Sequence, residues 1–358
     1  MRKNDFLRQV AKHIPFLSNW LTPKPPETLD YFFRRQHGKP AAKWNGYLQH
    51  YDRHFSPFKQ QPIRLLEIGV QAGGSLEVWA EYFQQAQLII GCDIDPQCAS
   101  LSYSDPRIKV LIGDVNSDDI LGNLDALSQQ LDVIIDDGSH HSKDIIQSFV
   151  QLFPRLSSGG IYLIEDLHSS YWESYGGGLY DPCSSISFFK KLIDVTNRES
   201  WGMDRKLNDF FHVFENMIPG CRHLDWAFLD DVHAIEFCNS MCIIHKRPSP
   251  QNKLGSLVLS GQPSADGQSA HHYQATEMTV PDQSQNGFSH EPGENGGEQL
   301  DQTLQLRQRI DQLAQDNSKL STQFYEATKQ YYEATVKIQA LESELNQLKQ
   351  SPSDPQPS

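Results

Sequence analysis

Apolar runs and amphipathic segments alternate between residues 62 and 247. Five short runs rich in β-branched residues read as strands: Ile63–Gly69, Leu88–Asp93, Ile108–Gly113, Leu131–Asp136 and Gly160–Glu165. Amphipathic stretches at about 74–85, 117–129 and 142–154 read as the helices between them. Repeating strand–helix units predict a parallel, doubly wound α/β sheet. Ala234–Cys238 and Met241–Lys246, joined by Asn239-Ser240, read as an antiparallel hairpin closing it.

The flanks follow other patterns. Residues 1–61 form a helical, aromatic-rich lead-in. There Phe6, Leu7, Val10, Ile14 and Leu17 predict a short amphipathic helix packing on the domain, with a peripheral membrane foot as the alternative. A secretory signal would need an unbroken apolar stretch, which is missing. Residues 248–299, rich in Ser, Gln, Gly, Pro and Asn, read as a disordered linker. Periodicity returns at 300–350. Leu306, Leu313, Leu320, Ala327, Ala334, Leu341 and Leu348 are spaced by seven, as are Ile310, Asn317, Phe324, Tyr331, Ile338 and Leu345. Two such series offset by three and four are a coiled-coil seam; Ile310 and Asn317 favour a parallel dimer in fixed register. Residues 351–358 form a disordered tail.

Charge narrows the range of partners. The 358 residues carry 45 acidic against 31 basic side chains, a net charge of −14, which argues against nucleic acid as partner. Six scattered cysteines make neither a disulfide framework nor a C-x-x-C metal site and suit a reducing compartment, so a cytoplasmic location is expected. No apolar run approaches the roughly 20 residues of a transmembrane helix.

Candidate chemistry lies at the strand ends. The first strand runs through Glu67-Ile68-Gly69 into Val70-Gln71-Ala72-Gly73-Gly74, a glycine-rich turn that lets a ligand approach the backbone. The second ends at Asp93, 24 residues after Gly69, where an acid can accept both ribose hydroxyls. The third ends at Gly113-Asp114, where an acid can meet an exocyclic amine. Each acid could equally be a helix cap; their order along the sheet favours a nucleoside ligand. This series, Glu67-x-Gly69 with Asp93 and Asp114, resembles class I methyltransferases that bind S-adenosylmethionine. The resemblance implies a Rossmann-like domain in which Gly69, Gly73 and Gly74 wrap the methionine portion, Asp93 holds the ribose and Asp114 the adenine. Asp95 is a second ribose candidate, or a cap on the turn at Pro96.

The fourth and fifth strands end in paired acids, Asp136-Asp137 and Glu165-Asp166. In a parallel sheet both pairs emerge on the cofactor edge, where four carboxylates repel unless protonated or neutralised by a cation. Oxygen ligands suit Mg²⁺. Asp136 should point opposite to Asp137, towards the cofactor. His140, three residues past Asp137, is placed to take a proton from a hydroxyl; His141 and His168 rank below it. Asp137-Gly138-Ser139-His140-His141 with Glu165-Asp166-Leu167-His168 resembles the Mg²⁺-dependent sugar O-methyltransferases of macrolide biosynthesis and the related cephalosporin hydroxylase-like family. That resemblance, over about residues 38–247, implies Asp137, Glu165 and Asp166 as metal ligands and His140 as base. It also implies a sugar or polyol hydroxyl as acceptor. The family's T-D-K-x-x-x-H-x-Y-x-x-x-Y-like stretch is altered here: His37-Gly38-Lys39 leads to Tyr47 and Tyr51, a pair that lines the cofactor mouth or fills the core. Ser169–Gly178, glycines among aromatics, reads as a flap over a polyol. Two other readings stand beside this one: methylation of a catechol, and a scaffold with a vestigial fold whose coiled coil acts. A hydroxylase is disfavoured, since no 2-His-1-carboxylate triad is evident.

Overall fold

A computed structural model of the chain describes residues 27–215, 224–258, 260 and 278–290, and the scattered positions 320, 327, 331, 334 and 337. It divides into two units, Met1–Val280 and Pro281–Ser358. The first holds a seven-stranded sheet of β1 (Arg64–Ile68), β2 (Leu88–Asp93), β3 (Ile108–Ile112), β4 (Leu131–Asp136), β5 (Leu156–Ile164), β6 (Val232–Cys238) and β7 (Met241–Lys246). The spatial order is β3-β2-β1-β4-β5-β7-β6. The first five strands are parallel, β7 runs antiparallel to β5, and β6 to β7.

Among the described residues seven α-helices accompany the sheet: α1 (Leu29–Arg35), α2 (Asn45–Phe55), α3 (Gly74–Tyr82), α4 (Asp118–Leu127), α5 (Ser142–Leu152), α6 (Ser185–Thr196) and α7 (Leu207–Glu215). Strand residues alternate between the two faces. Leu65, Ile89 and Val133 pack with Tyr51, Phe55, Trp79 and Phe83 from α2, α3 and the α3 C-terminus. Leu66, Ile90 and Ile134 pack with Ile120, Phe149, Phe188 and Trp226 on the other side. Both faces are covered, which is why these strands read as continuous apolar runs.

The expected doubly wound sheet and its closing hairpin are present, with two differences. β5 begins at Leu156, before Gly160. Leu156 pairs with Leu131, and Ser157-Ser158-Gly159-Gly160 fall in the register shift before Val133↔Ile161. The boundary at residue 62 does not separate a lead-in: α1 and α2 belong to the same core as β1. The amphipathic segment at 6–17 and most of the linker and coiled-coil segments lie outside the described residues. No helix among the described residues is long and apolar enough to cross a membrane.

Candidate active site

The strand order reverses between β1 and β4, and ligands of open α/β sheets sit at such a switch point, beyond the carboxyl ends of the strands. A cavity of about 720 Å³ opens there, lined by residues from all five parallel strand ends and by Lys43 and Trp44 from the segment before α2.

One half of it is shaped by backbone. Gly69 has φ +86°, and a Cβ there would lie 2.0 Å from the Asp137 carbonyl oxygen, so the β1 and β4 exits approach closely only through glycine. Asp93 Oδ2 accepts from Val70 N at 2.7 Å and Gln71 N at 2.8 Å, while Oδ1 accepts from Asp95 N at 2.9 Å. Burial raises the Asp93 pKa, but the backbone amides outweigh it and hold the carboxyl below its ordinary range. Asp93 therefore fixes the glycine-rich turn besides facing the cavity. Asp95 caps the following turn through Gln97 N at 2.8 Å, and Asp114 accepts from Asn116 N at 2.9 Å; both also line the cavity. Asp95 thus takes the cap role. Gly73 and Gly74 are not on the cavity wall, contrary to expectation. A Cβ on Gly74 would lie 2.1 Å from Lys39 O, and its amide donates to Pro40 O at 3.0 Å. Both glycines start α3, Gly74 seating the lead-in and Gly73 lying against Tyr103 and Leu101; Gly69 and Gln71 are the turn residues that face the cavity.

The other half is acidic. The buried side chain of Lys43 reaches into it, its Nζ 2.5 Å from Asp137 Oδ2, 2.6 Å from Glu165 Oε1 and 3.4 Å from Glu67 Oε1. Burial opposes the Lys43 charge, but Glu165, Glu67 and Asp137 more than compensate and raise its pKa. Glu67 lies fully buried behind the wall and accepts from Ser75 Oγ at 2.6 Å. Tyr51 donates its hydroxyl to Glu165. Burial pushes the Glu165 carboxyl up.

Towards the solvent, Asp137, His140 and Asp166 each present a donor atom, all within 4.8 Å of one another. His140 Nε2 is 3.6 Å from Asp166 Oδ2 and 3.9 Å from Asp137 Oδ1. Asp166 Oδ1 accepts from Tyr47 OH at 2.7 Å and Trp44 Nε1 at 2.9 Å. His140 (φ +59°) and Asp166 (φ +53°) both hold left-handed backbone, which non-glycine residues adopt sparingly and mostly where the surroundings enforce it. His168 Nδ1 lies 2.5 Å from Ser240 Oγ and 3.8 Å from Asp166 Oδ1. Asp136 points away from Asp137, as strand alternation requires. It accepts from Tyr162 OH at 3.2 Å, and burial raises its pKa to about 7.

Of the three expected ligands, Asp137 therefore meets both others, but through different partners. Glu165 turns inward to Lys43 and Tyr51, and Asp166 outward to His140, Tyr47 and Trp44. Sequence reasoning missed Lys43. A usable signal existed: Lys43, Tyr47 and Tyr51 recur at intervals of four along one face of α2 and its entry. Lys39, the lysine noted instead, pairs with Glu77 at 2.8 Å.

A methyltransferase-domain family matches residues 66–167, from inside β1 to just past Asp166. The methyltransferase domain resembles several named enzymes. The chain is 37% identical over 189 residues to the mycinamicin VI 2''-O-methyltransferase of Micromonospora griseorubida, covering 47% of this chain and 46% of that protein. It is 35% identical over 167 residues to the 8-demethyl-8-alpha-L-rhamnosyl tetracenomycin-C 2'-O-methyltransferase of Streptomyces olivaceus, covering 44% and 43%. Against the demethylmacrocin O-methyltransferase of Streptomyces fradiae it is 37% identical over 168 residues, covering 43% and 41%. The chain thus matches less than half the length of each relative. A solved structure of the methyltransferase MycE from the mycinamycin pathway, in complex with Mg and SAH, superposes with a TM-score of 0.52 at 25% identity, covering 70% of this chain and 61% of that one. The resemblance to the macrolide sugar enzymes is borne out at the level of this domain.

Proposed function

We propose that the chain is an S-adenosylmethionine-dependent O-methyltransferase that, with Mg²⁺, methylates a hydroxyl of a sugar-containing acceptor. The observation that carries this reading is the pairing of an acid-tipped β4/β5 edge with a nucleoside-sized cavity on one methyltransferase domain. One of the relatives it resembles is named as the O-methyltransferase of a rhamnosyl tetracenomycin-C.

In this reading Gly69, Gln71 and Asp93 hold the methionine and ribose portions, with Asp95 and Asp114 facing the rest of the nucleoside. Asp136, neutral below about pH 7, offers a proton-bearing oxygen to the same cavity. Glu67, Gly73 and Gly74 act from behind, holding the turn and the lead-in. S-adenosylmethionine, when bound, supplies a sulfonium methyl.

The acidic half fits a divalent cation. Glu67, Asp137, Glu165 and Asp166 stand around a single lysine among the described residues, and burial raises Glu67 and Glu165 toward the neutral form, so a bound cation would favour their ionised state. Oxygen donors suit a hard ion. Asp137 and Asp166 would hold it, with Glu165 supporting from within through Lys43. When bound, Mg²⁺ supplies positive charge that favours the alkoxide form of the acceptor. His140 receives the acceptor proton at Nε2, the atom that already faces Asp137 and Asp166. Positioning of the acceptor oxygen supplies much of the rate. Trp44 and Trp172, about 61% and 49% exposed, flank His168 at ring-centroid distances of 6.2 and 4.9 Å. Exposed rings beside the acid tips suit stacking of a sugar face.

The test is methyl transfer from S-adenosylmethionine to rhamnosylated and to catechol acceptors, with and without Mg²⁺. Transfer to catechols alone would overturn the sugar assignment. No calorimetric binding of S-adenosylmethionine would leave the scaffold reading standing. We further propose that a second copy of this chain pairs through the heptad seam at 300–350.

A further inference from the structure

A second group of metal-binding residue types stands at the outer edge of the sheet, where α2 crosses the edge strand β6. On α2, His50 and His54 are four residues apart and share a face. On β6, Glu236 and Cys238 are two apart and share a face. The two pairs meet. His50 Nδ1 is 3.1 Å from Cys238 Sγ, Cys238 Sγ is 3.4 Å from Glu236 Oε1, and His54 Nε2 is 3.4 Å from Glu236 Oε2. His50, Glu236 and Cys238 each offer an atom within 4.8 Å of the others.

A separate observation concerns His54. Its side chain is only 8% exposed, yet Nε2 finds no hydrogen-bond partner. Buried polar atoms are nearly always satisfied, so a ring nitrogen left with only a 3.4 Å contact to Glu236 Oε2 calls for a reason. A tetrahedral ion with Zn–N near 2.0–2.1 Å and Zn–S near 2.3 Å spaces its donor atoms roughly 3.3–3.6 Å apart. The His50–Cys238 and Cys238–Glu236 spacings, 3.1 and 3.4 Å, lie close to that range.

We propose that His50, Glu236 and Cys238 bind a zinc ion that pins α2 to β6, with His54 seated beside Glu236 to orient its carboxylate, distinct from the Mg²⁺ site. An imidazole, a thiolate and a carboxylate, with water in the fourth position, suit Zn²⁺ and are a poor set for Mg²⁺. Binding displaces the Cys238 thiol proton to solvent. It also displaces Arg53, whose guanidinium now bonds both Glu236 oxygens at 3.0 and 2.7 Å. The Arg53 side chain is 63% exposed, so it moves into water without leaving a buried charge. The consequence reaches the active site through one helix. α2 also carries Tyr47, bonded to Asp166, and Tyr51, bonded to Glu165, and it follows directly on Lys43 and Trp44. Zinc at its far face would fix the helix that supports the acidic cluster.

The full chain, stripped of metal with a chelator, is titrated with Co²⁺ as a spectroscopic probe. One equivalent should produce a thiolate-to-cobalt charge-transfer band, and Zn²⁺ should abolish it. Cys238→Ser should remove the band. His50→Gln, at a partly exposed position, should weaken the affinity at least tenfold. Arg53→Gln should tighten it, and Asp137→Asn should leave it unchanged. A folded chain that shows no such band overturns the proposal, as does a band that survives Cys238→Ser or disappears in Asp137→Asn.

Discussion

Lys43 shows how one residue decides the electrostatics of the acidic edge. Its ammonium is shared among Glu67, Asp137 and Glu165, two of which are completely shielded from water. Removing one partner of a buried ion cluster leaves the others uncompensated. Lys43→Met should therefore destabilise the fold by about 3–5 kcal/mol, read as a lower midpoint in urea unfolding with an unchanged slope. Asp136 makes a second residue-level prediction. Burial lifts its carboxyl to about 7 in the folded chain, above its unfolded value. A raised folded pKa means that the neutral acid stabilises the fold fully below about pH 4, the unfolded value, and that this contribution is lost as pH rises through about 7. Asp136→Asn should remove that pH dependence, so its stability relative to the parent should increase between about pH 4 and 7. A constant difference across that window would mean that Asp136 is ionised throughout. For activity, His140→Gln should lower kcat by about 10²–10⁴-fold with KM little changed. The same loss in His168→Gln alone would move the base to that residue. Asp137→Asn should end Mg²⁺-dependent turnover while calorimetry still registers cofactor binding.

At the scale of elements, the sheet was legible because parallel strands buried on both faces are written as continuous apolar runs bounded by glycine and acids. The strand-end acids were legible for the same reason. Their partners were not: neither Lys43 nor Tyr51 belongs to a βα turn, and each reaches its acid across more than a hundred residues of chain. The glycine-rich turn was read as a ligand cradle throughout, yet packing divides its work. Gly69 yields to the β4 exit and Gly74 to the lead-in, a distinction that depends on which backbone lies opposite. Two substitutions exploit this. Gly74→Ala would force a Cβ to within 2.1 Å of Lys39 O and 2.4 Å of Pro40 O, and so should displace the segment that delivers Lys43 and Trp44. Activity should fall together with stability. Gly46→Ala, in the first turn of α2, meets nothing within 4 Å and should instead raise stability by up to about 1 kcal/mol. Equal losses in both variants, measured by thermal melting and turnover, would refute the assignment of Gly74 to lead-in docking.

For the whole molecule, the remaining matter is how many chains work together. The heptad pattern of 300–350 can bury its seam only against another helix. Of the scattered positions described there, Leu320, Ala327, Tyr331 and Ala334 fall on the seam, and all are helical. In the single chain Leu320 is 62% and Tyr331 75% exposed, apolar area that a second copy would cover. In the proposed pairing Asn317 would disfavour slipped registers, and Ala327 and Ala334 would keep the middle of the seam weak, so the equilibrium should depend on concentration within reach of ordinary measurement. Sedimentation of the full chain should give a dimer that dissociates on dilution. Leu320→Asp places a charge in the seam and should shift the chain to monomer. Because the residues proposed for catalysis lie between Lys43 and Asp166, turnover per chain should not change. A monomer at all concentrations would remove the pairing; a dimer unaffected by Leu320→Asp would place the contact elsewhere.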